Sequence, residues 1–518
     1  MRIISLKIKN FRGYKDLVEI RFDDLTVFVG KNDVGKSTIL EALDIFFNDG
    51  KGVVKLEKSD VNVDERKMDN NETVISVCFG ELPDKIVIDS TVETTLQDEY
   101  LLNSDGYLEV VKKYKNGGAG KVFVRAYHPT NPKCNNLLLA KNTDLKKIVK
   151  TENISCENQS INTLMRRAIW SKYENELQLM DCEIDVSKEE AKKIWEKLVL
   201  YMPAYSLFQS DRKNSDGDNE VQDPLREAVK QILNERRLQE TLFEIANEVE
   251  KKLKEVSERT LQKLREMDPD IANSLNPVIP SADSLKWQDV FKNVSISGDD
   301  DIPINKRGSG VKRLVLLNFF RAEAEKRAQS EGGTGMIYAI EEPETSQHSN
   351  NQRLLIEAFK TLASNEATQV ILTTHSSVIV KQLDFSNLRL ISNTENSHKE
   401  ILSVLPGQLN YPSLNEVNYV AFGEATEEYH DELYSYIEFQ GWKNAYIAGK
   451  PTRLYKRQRN NGTLIDEQKV LTEYIRHQIH HPENRANVRY SREELKESID
   501  LMRDFIQEHR VTGEIDEP

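Results

Sequence analysis

The stretch FVGKNDVGKSTILEAL, residues 28–43, constrains this chain more than any other. An apolar run ends on Gly30, Gly35 follows five positions later, and Lys36 and Ser37 come at once, which is the Gly-x-x-x-x-Gly-Lys-Ser spacing of a phosphate-binding loop. Glycines let successive backbone N–H groups converge on one anion, and the helix that follows adds its unpaired donors and the positive end of its dipole. Lys36 is then placed for the β- and γ-phosphates, and the Ser37 hydroxyl offers a hard oxygen to Mg²⁺. The competing reading is an ordinary glycine-rich turn. The spacing predicts a strand, a loop and a helix, hence an α/β fold, with Ile39, Ala42, Leu43 and Phe46 on the one helix stripe that packs on a sheet.

A second cluster of signals supports the first. GMIYAIEEPETSQHS, residues 335–349, reads as an apolar strand ending in Glu341 and Glu342. Phosphoryl hydrolysis asks for such a pair, one carboxylate for the Mg²⁺ shell and the next to orient the attacking water. The first position is Glu where Asp is more usual. ATQVILTTHSS, residues 367–377, is another buried strand, ending in Thr374-His375-Ser376, and a histidine there can meet a γ-phosphate or the water. Taken singly, the carboxylates could cap a helix and the histidine could be structural. Their order along the chain favours the catalytic reading.

With 518 residues the chain can hold two or three domains. Its cysteines, Cys78, Cys134, Cys156 and Cys182, are too scattered for a zinc knuckle and too few for a disulfide framework. No run of about 18 apolar residues occurs, and MRIISLKIKNFRGY alternates as a strand does and is unlike a signal peptide. A cytoplasmic protein without a membrane anchor is the expectation. The formal net charge of −14 opposes broad coating of nucleic acid, while leaving room for a local basic contact.

The pattern of the chain predicts four segments. Residues 1–140 form the first part of the nucleotide head, with strands at TVISVCFG, KIVIDSTVE, YLEVVKKYK and KVFVRAYHP in an antiparallel meander. Residues 141–285 read as a helical insertion, with a capping box at Ser187 and Glu190 and a short arm over 224–266 whose apolar spacing drifts from a heptad. Residues 286–400 complete the head, starting with strand-like WQDVFKNVSIS, and 401–518 read as an all-α segment with a basic loop around Arg453, Lys456, Arg457 and Arg459.

The order of phosphate loop, KRGSGVKRLVLLNFF (306–320), acidic strand and histidine strand resembles the ABC-type ATPase heads of the SMC, RecF and OLD group. NFRGY at 10–14 and IEEPE at 340–344 are similar to the OLD-like (AAA15-type) branch, and the likeness covers roughly 1–50 and 300–395, with 202–225 weakly matched. That resemblance implies an ABC/SMC-like P-loop head with a mixed β-sheet. It implies ATP and Mg²⁺ as cofactors, Glu342 and His375 as catalytic residues, and Ser37 and Glu341 as metal ligands. Arg12, Gly30, Asn32, Gly35, Lys36, Ser37, Thr38, Ser309 and Gly310 would bind the nucleotide. In such heads the signature faces the ATP of another copy, so Ser309 and Gly310 would act across a homo-oligomer interface. Here the signature lacks Leu before Ser and has Val311-Lys312 in place of Gly-Gln, and no Q-loop glutamine stands out.

Beyond 400, the Asp-x-Asp of a Toprim nuclease is missing. Arg476-x-x-x-x-His481 is similar to the pair of HEPN ribonuclease modules, in which Arg steadies a phosphorane-like charge and His moves a proton. Residues five apart stand about 140° round a helix, so the two converge only if the helix ends, and Pro482 favours an end at His481. An OLD-like head with such a tail resembles the PtuA family of Septu ATPase subunits in bacterial anti-phage defence. That likeness implies a separate HNH nuclease partner, and nucleic acid reached directly or through it. Two rivals stay open: an ATPase-switched ribonuclease acting through Arg476 and His481, and a RecF/OLD-like DNA repair ATPase.

Overall fold

The computed structural model describes residues 1–31, 33–49, 52–88, 92–209, 233, 236–267, 335–345, 349–366, 368–393, 399–403, 413–459 and 462–513. Among the described residues, two six-stranded sheets draw their strands from between Arg2 and Ser403. The antiparallel one is built from β1 (Arg2–Lys9), β2 (Val18–Arg21), β4 (Glu72–Gly80), β5 (Leu108–Lys115), β6 (Lys121–Pro129) and β7 (Leu179–Asp185), in the order β2-β1-β4-β5-β6-β7. The other is built from β3 (Leu25–Val29), β8 (Ala204–Phe208), β9 (Met336–Glu341), β10 (Thr368–Thr374), β11 (Leu388–Asn393) and β12 (Lys399–Ser403), in the order β12-β11-β3-β10-β9-β8. In this second sheet every pairing is parallel except that of β12 with β11.

The parallel sheet explains its own sequence. All five residues of β3 and all seven of β10 are buried, as expected where both faces of a strand are covered. Helix α1 (Lys36–Asn48) returns from β3 and buries Ile39, Ala42, Leu43 and Phe46, the stripe expected from its spacing. One hydrophobic cluster joins this helix to both sheets, running from Ile3, Leu6 and Phe79 through Phe28 and Leu43 to Ile337, Ile371 and Ile391. Helices α2 (Val63–Lys67), α3 (Asn142–Thr151), α4 (Asn162–Lys172) and α5 (Glu189–Leu198) occupy the connections, and Leu145, Met165, Ile169 and Ile194 of the last three join the same cluster.

Several expectations are revised. Of the four meander strands, three are β4, β5 and β6, while the described residues of KIVIDSTVE show an isolated bridge, Ile86 with Thr94. The 141–285 segment is not one helical insertion. Its first half supplies β7 to one sheet and β8 to the other, and Met1–Ser210 cluster with Ala324–Pro518 as one unit, leaving Asp211–Glu323 as the second. β7 escaped notice because it is a sheet edge with mostly half-exposed side chains, so its alternation is faint. Ser187 caps no helix: its hydroxyl accepts from Val122 N at 3.1 Å, and α5 begins after Lys188.

In the second unit, α6 (Arg236–Met267) is a single helix of 32 residues that fills most of the 224–266 stretch expected as an arm. At 1.5 Å per residue that is about 48 Å. WQDVFKNVSIS and the signature stretch with Ser309 and Gly310 lie outside the described residues.

Back in the first unit come α7 (Ser349–Ala363), α8 (Ser377–Val380), α9 (Leu414–Phe422), α10 (Glu427–Phe439), α11 (Lys443–Ile447), α12 (Leu471–His480) and α13 (Arg492–Gly513). The C-terminal segment is not all-α. A hairpin of β13 (Thr452–Gln458) and β14 (Leu464–Val470) interrupts the helices, and the basic stretch from Arg453 lies on β13. Asn461-Gly462 is its turn signal, masked at sequence level by flanking strands so polar that only Tyr455 and Val470 are buried. The segment has its own core of Tyr429, Leu433, Ile475, Ile499 and Met502. Ser491 and Glu494 form a capping box at the start of α13, each side chain accepting from the other's backbone N–H at 2.9 and 3.2 Å.

Candidate active site at the carboxyl ends of the parallel strands

Ligands of open α/β sheets bind beyond the carboxyl ends of the strands, and four such ends meet here. β10 lies between β3 and β9, so the phosphate loop, the histidine strand and the acidic strand follow one another along the rim. β8 ends the row beside β9.

The loop needs its glycines. A Cβ on Gly30 would stand 2.6 Å from the carbonyl oxygen of Ile391, and Gly35, at φ 104°, takes the left-handed turn from which α1 starts. The Tyr14 hydroxyl donates to Gly35 O at 3.1 Å, fixing the loop from the NFRGY segment. Lys36 is 5% exposed and its Nζ donates to the carbonyls of Gly30 at 2.8 Å and Lys31 at 3.0 Å. Burial pulls the Lys36 pKa down, and the charges of Glu342, Glu344, Asp33 and Glu341 act against that pull. Thr38 follows in the first turn of α1, and Asn32 lies outside the described residues.

The Ser37 hydroxyl donates to Glu341 Oε1, joining residues 304 positions apart. These two hard oxygen donors side by side form the kind of set that Mg²⁺ takes in nucleotide sites, where phosphates and waters complete the shell. The next residue, Glu342, has φ 42°, a left-handed conformation that a non-glycine residue holds at a cost of about 1–3 kcal/mol. Its N–H is held by Thr373 O at 3.0 Å and Thr373 Oγ1 at 3.2 Å. The twist turns Glu342 toward His375, whose Nδ1 lies 3.2 Å from Glu342 Oε1.

Glu344 was quoted in the sequence without being assigned a part, yet it is central. It is 4% exposed, and its Oε1 accepts from Thr374 Oγ1 at 2.7 Å and His375 N at 2.8 Å, with His375 Nδ1 at 3.4 Å. The Ser376 hydroxyl donates to Gln352 Oε1 at 2.7 Å and accepts from Ile379 N, capping α8. What marks Glu344 is its burial, and a charged residue three beyond a strand end does not reveal that in the sequence.

Arg12 was expected at the nucleotide. Its guanidinium engages Asp60 at 2.8 Å and also Glu41, one turn beyond Ser37 on α1. Glu41 in turn accepts from Gln209 Nε2 at 3.0 Å, and Gln209 directly follows β8. No glutamine could be assigned to this rim from spacing alone, because β8 and β9 are far apart in the chain and adjacent only in the sheet.

Arg476 and His481 are not brought together. Helix α12 ends at His480, with His481 as its C-cap. Arg476 reaches Glu438 at 3.2 Å and Asp431 at 3.6 Å and lies 4.1 Å over the Tyr434 ring, whereas His481 Nδ1 meets Glu483 at 3.2 Å. The histidine that shares a partner with Arg476 is His480, at 2.7 Å from Asp431. Residues four apart face the same way on a helix and residues five apart do not.

Endonuclease GajA of Bacillus cereus (strain HuB5-5) is 23% identical over 451 residues, covering 78% of this chain but 60% of its own length, so the chain spans less than two thirds of that relative. Among solved structures, an SMC head bound to the C-winged helix domain of ScpA overlaps with a TM-score of 0.38 at 12% identity, covering 79% of this chain and 99% of that one. The SMC head domain from Thermotoga maritima gives 0.31 at 14%, covering 78% and 100%. Among the described residues no helix is long and apolar enough to cross a membrane. The AAA ATPase domain family (AAA_15) matches residues 1–380, a span that takes in phosphate loop, acidic strand and histidine strand alike. This chain therefore belongs to the AAA ATPase domain family.

Proposed function

We propose that the chain is the ATP-binding and ATP-hydrolysing subunit of a bacterial anti-phage defence complex of the Septu type, similar to PtuA, controlling a separate HNH nuclease. The observation that carries the ATPase part is the convergence of Ser37, Glu341, Glu342 and His375 on one rim although they come from three segments of the chain. The matched endonuclease supports a nucleic-acid-directed role for the assembly.

In this reading Gly30, Asn32, Gly35, Lys36 and Thr38 cradle the triphosphate of ATP, with Lys36 moving from loop carbonyls to phosphate oxygens of greater charge. Ser37 and Glu341 would hold Mg²⁺, which would supply charge neutralisation at the γ-phosphoryl oxygens. Glu342 orients the attacking water. His375, its Nδ1–H directed at Glu342 and Glu344, keeps Nε2 for the water or the γ-phosphate. Gln209 stands at the same rim as a sensor between α1 and the strand that leaves toward the second unit. Arg12 braces α1 through Glu41. Ser309 and Gly310 of a second copy complete the site, so heads pair on ATP.

Two variants test this. Lys36→Ala should lose ATP binding, and Glu342→Gln should bind MgATP, dimerise and fail to turn it over. Co-expression with an HNH nuclease should give a complex whose DNA cleavage depends on the Lys36 and Glu342 states. Turnover at wild-type rate in Glu342→Gln would remove the catalytic assignment, and a chain that never retains such a nuclease would remove the Septu assignment.

A further inference from the structure

An open cavity of about 530 Å³ joins the nucleotide rim to the C-terminal segment, both within the same compact unit. Its lining includes Glu344, Gln352 and His375 on the rim, Phe422 and Glu424 where α9 ends, and Arg492 at the start of α13. Two features of these walls match. Glu344 Oε2 is buried and has no hydrogen-bond partner among the described residues, although Oε1 of the same carboxylate accepts from Thr374 and His375. A buried carboxylate oxygen left without a donor is unfavourable, and a charged donor is its strongest remedy. Arg492 is exposed, and its side chain makes no ion pair or hydrogen bond among the described residues.

The backbone that carries Arg492 is anchored. Ser491 and Glu494 close the capping box around it, and Glu494 is held by Arg453 of β13 at 2.6 Å. A fixed helix start with an uncommitted guanidinium thus shares a cavity with a fixed carboxylate that has one open acceptor. Nearby basic side chains are already paired, Lys381 with Glu428 and Arg489 with Glu427.

We propose that Arg492 is a positioning residue for ATP hydrolysis in cis: its guanidinium closes on Glu344 Oε2, and Glu344 in turn holds Thr374 and His375 against Glu342. This proposal rests on the ATPase reading above. Arg492 does not touch the nucleotide in it. Its effect is on how firmly His375 is set, so it changes turnover more than affinity.

The full-length chain tests it, with ATP turnover, nucleotide affinity and hydrogen exchange measured on wild type, Arg492→Ala, Arg492→Lys, Glu344→Gln and the double variant Arg492→Ala/Glu344→Gln. The expected result for Arg492→Ala is a kcat about tenfold lower with KM within about twofold, partly restored in Arg492→Lys. The double variant should be no slower than Glu344→Gln alone, since both act through one contact. Amides at 488–495 should exchange more slowly in wild type than in Arg492→Ala, with or without MgATP. An unchanged kcat in Arg492→Ala, or losses that simply add in the double variant, overturns this proposal alone. A wild-type chain that neither binds nor hydrolyses MgATP overturns the ATPase reading and this proposal with it.

Discussion

His375 and His481 each entered as a histidine near a charged partner, and the fold treats them in opposite ways. His375 ends a strand wholly buried in a parallel sheet, so its place is fixed by neighbours on both sides, and Glu342 and Glu344 converge on it from the adjacent strand end. His481 follows the last turn of a surface helix, where its partner is its near neighbour Glu483 and Arg476 looks elsewhere. Sheet order gathers residues that are hundreds apart. A helix sorts residues that are close together onto different faces, and a motif with the wrong step is separated by its own periodicity.

The largest effect should come from the pair that the sheet brings together. Glu341→Gln is expected to lower ATP turnover about a thousandfold, close to 4 kcal/mol of transition-state stabilisation, while the helical content by circular dichroism stays the same. Retained turnover would mean that the strand ends do not form the site. Next in size is a pH effect in the C-terminal core. Burial holds the His430 pKa down at about 4 against 6.5 for the free side chain, opposed by Asp431 and aided by Arg476. The unfolded chain therefore binds more protons between those values, so stability is full above about pH 6.5 and falls by up to about 3 kcal/mol as pH drops toward 4. Urea titrations of wild type and His430→Asn across that window should differ in slope, and parallel curves would place His430 in a more solvated setting.

A smaller change follows from His375→Ala, where loss of one positioned acid–base group should reduce turnover about a hundredfold with ATP affinity nearly unchanged. If affinity falls instead, the histidine serves binding. Least affected is the surface helix. Arg476→Ala, losing two carboxylate partners and the Tyr434 face, should cost about 1 kcal/mol in urea unfolding, and His481→Ala less than about 0.5 kcal/mol. Neither should change the fate of RNA incubated with the protein. RNA cleavage lost in His481→Ala would restore the ribonuclease reading and erase the contrast between the two histidines.

The phosphate loop and its helix were legible because backbone sterics dictate them locally: Gly30 is the residue that fits against Ile391 O, and Gly35 takes the turn into α1. The strands β3, β9 and β10 were legible for a related reason, since double-sided burial writes a continuous apolar run. β7 and the β13–β14 hairpin were not, because edge and surface strands share their polar composition with helices and loops.

Residue identity and local spacing thus settle which groups are available: a lysine and a serine behind a glycine turn, carboxylates after one strand and a histidine after another. Which of them meet is a matter of strand order, which no local pattern encodes. The insertion of β10 between β3 and β9 brings His375 to Glu342 and Glu344, and the placing of β8 beside β9 sets Gln209 on the same rim. Parallel strands align all their carboxyl ends on one edge, and only the packed sheet decides which ends are neighbours.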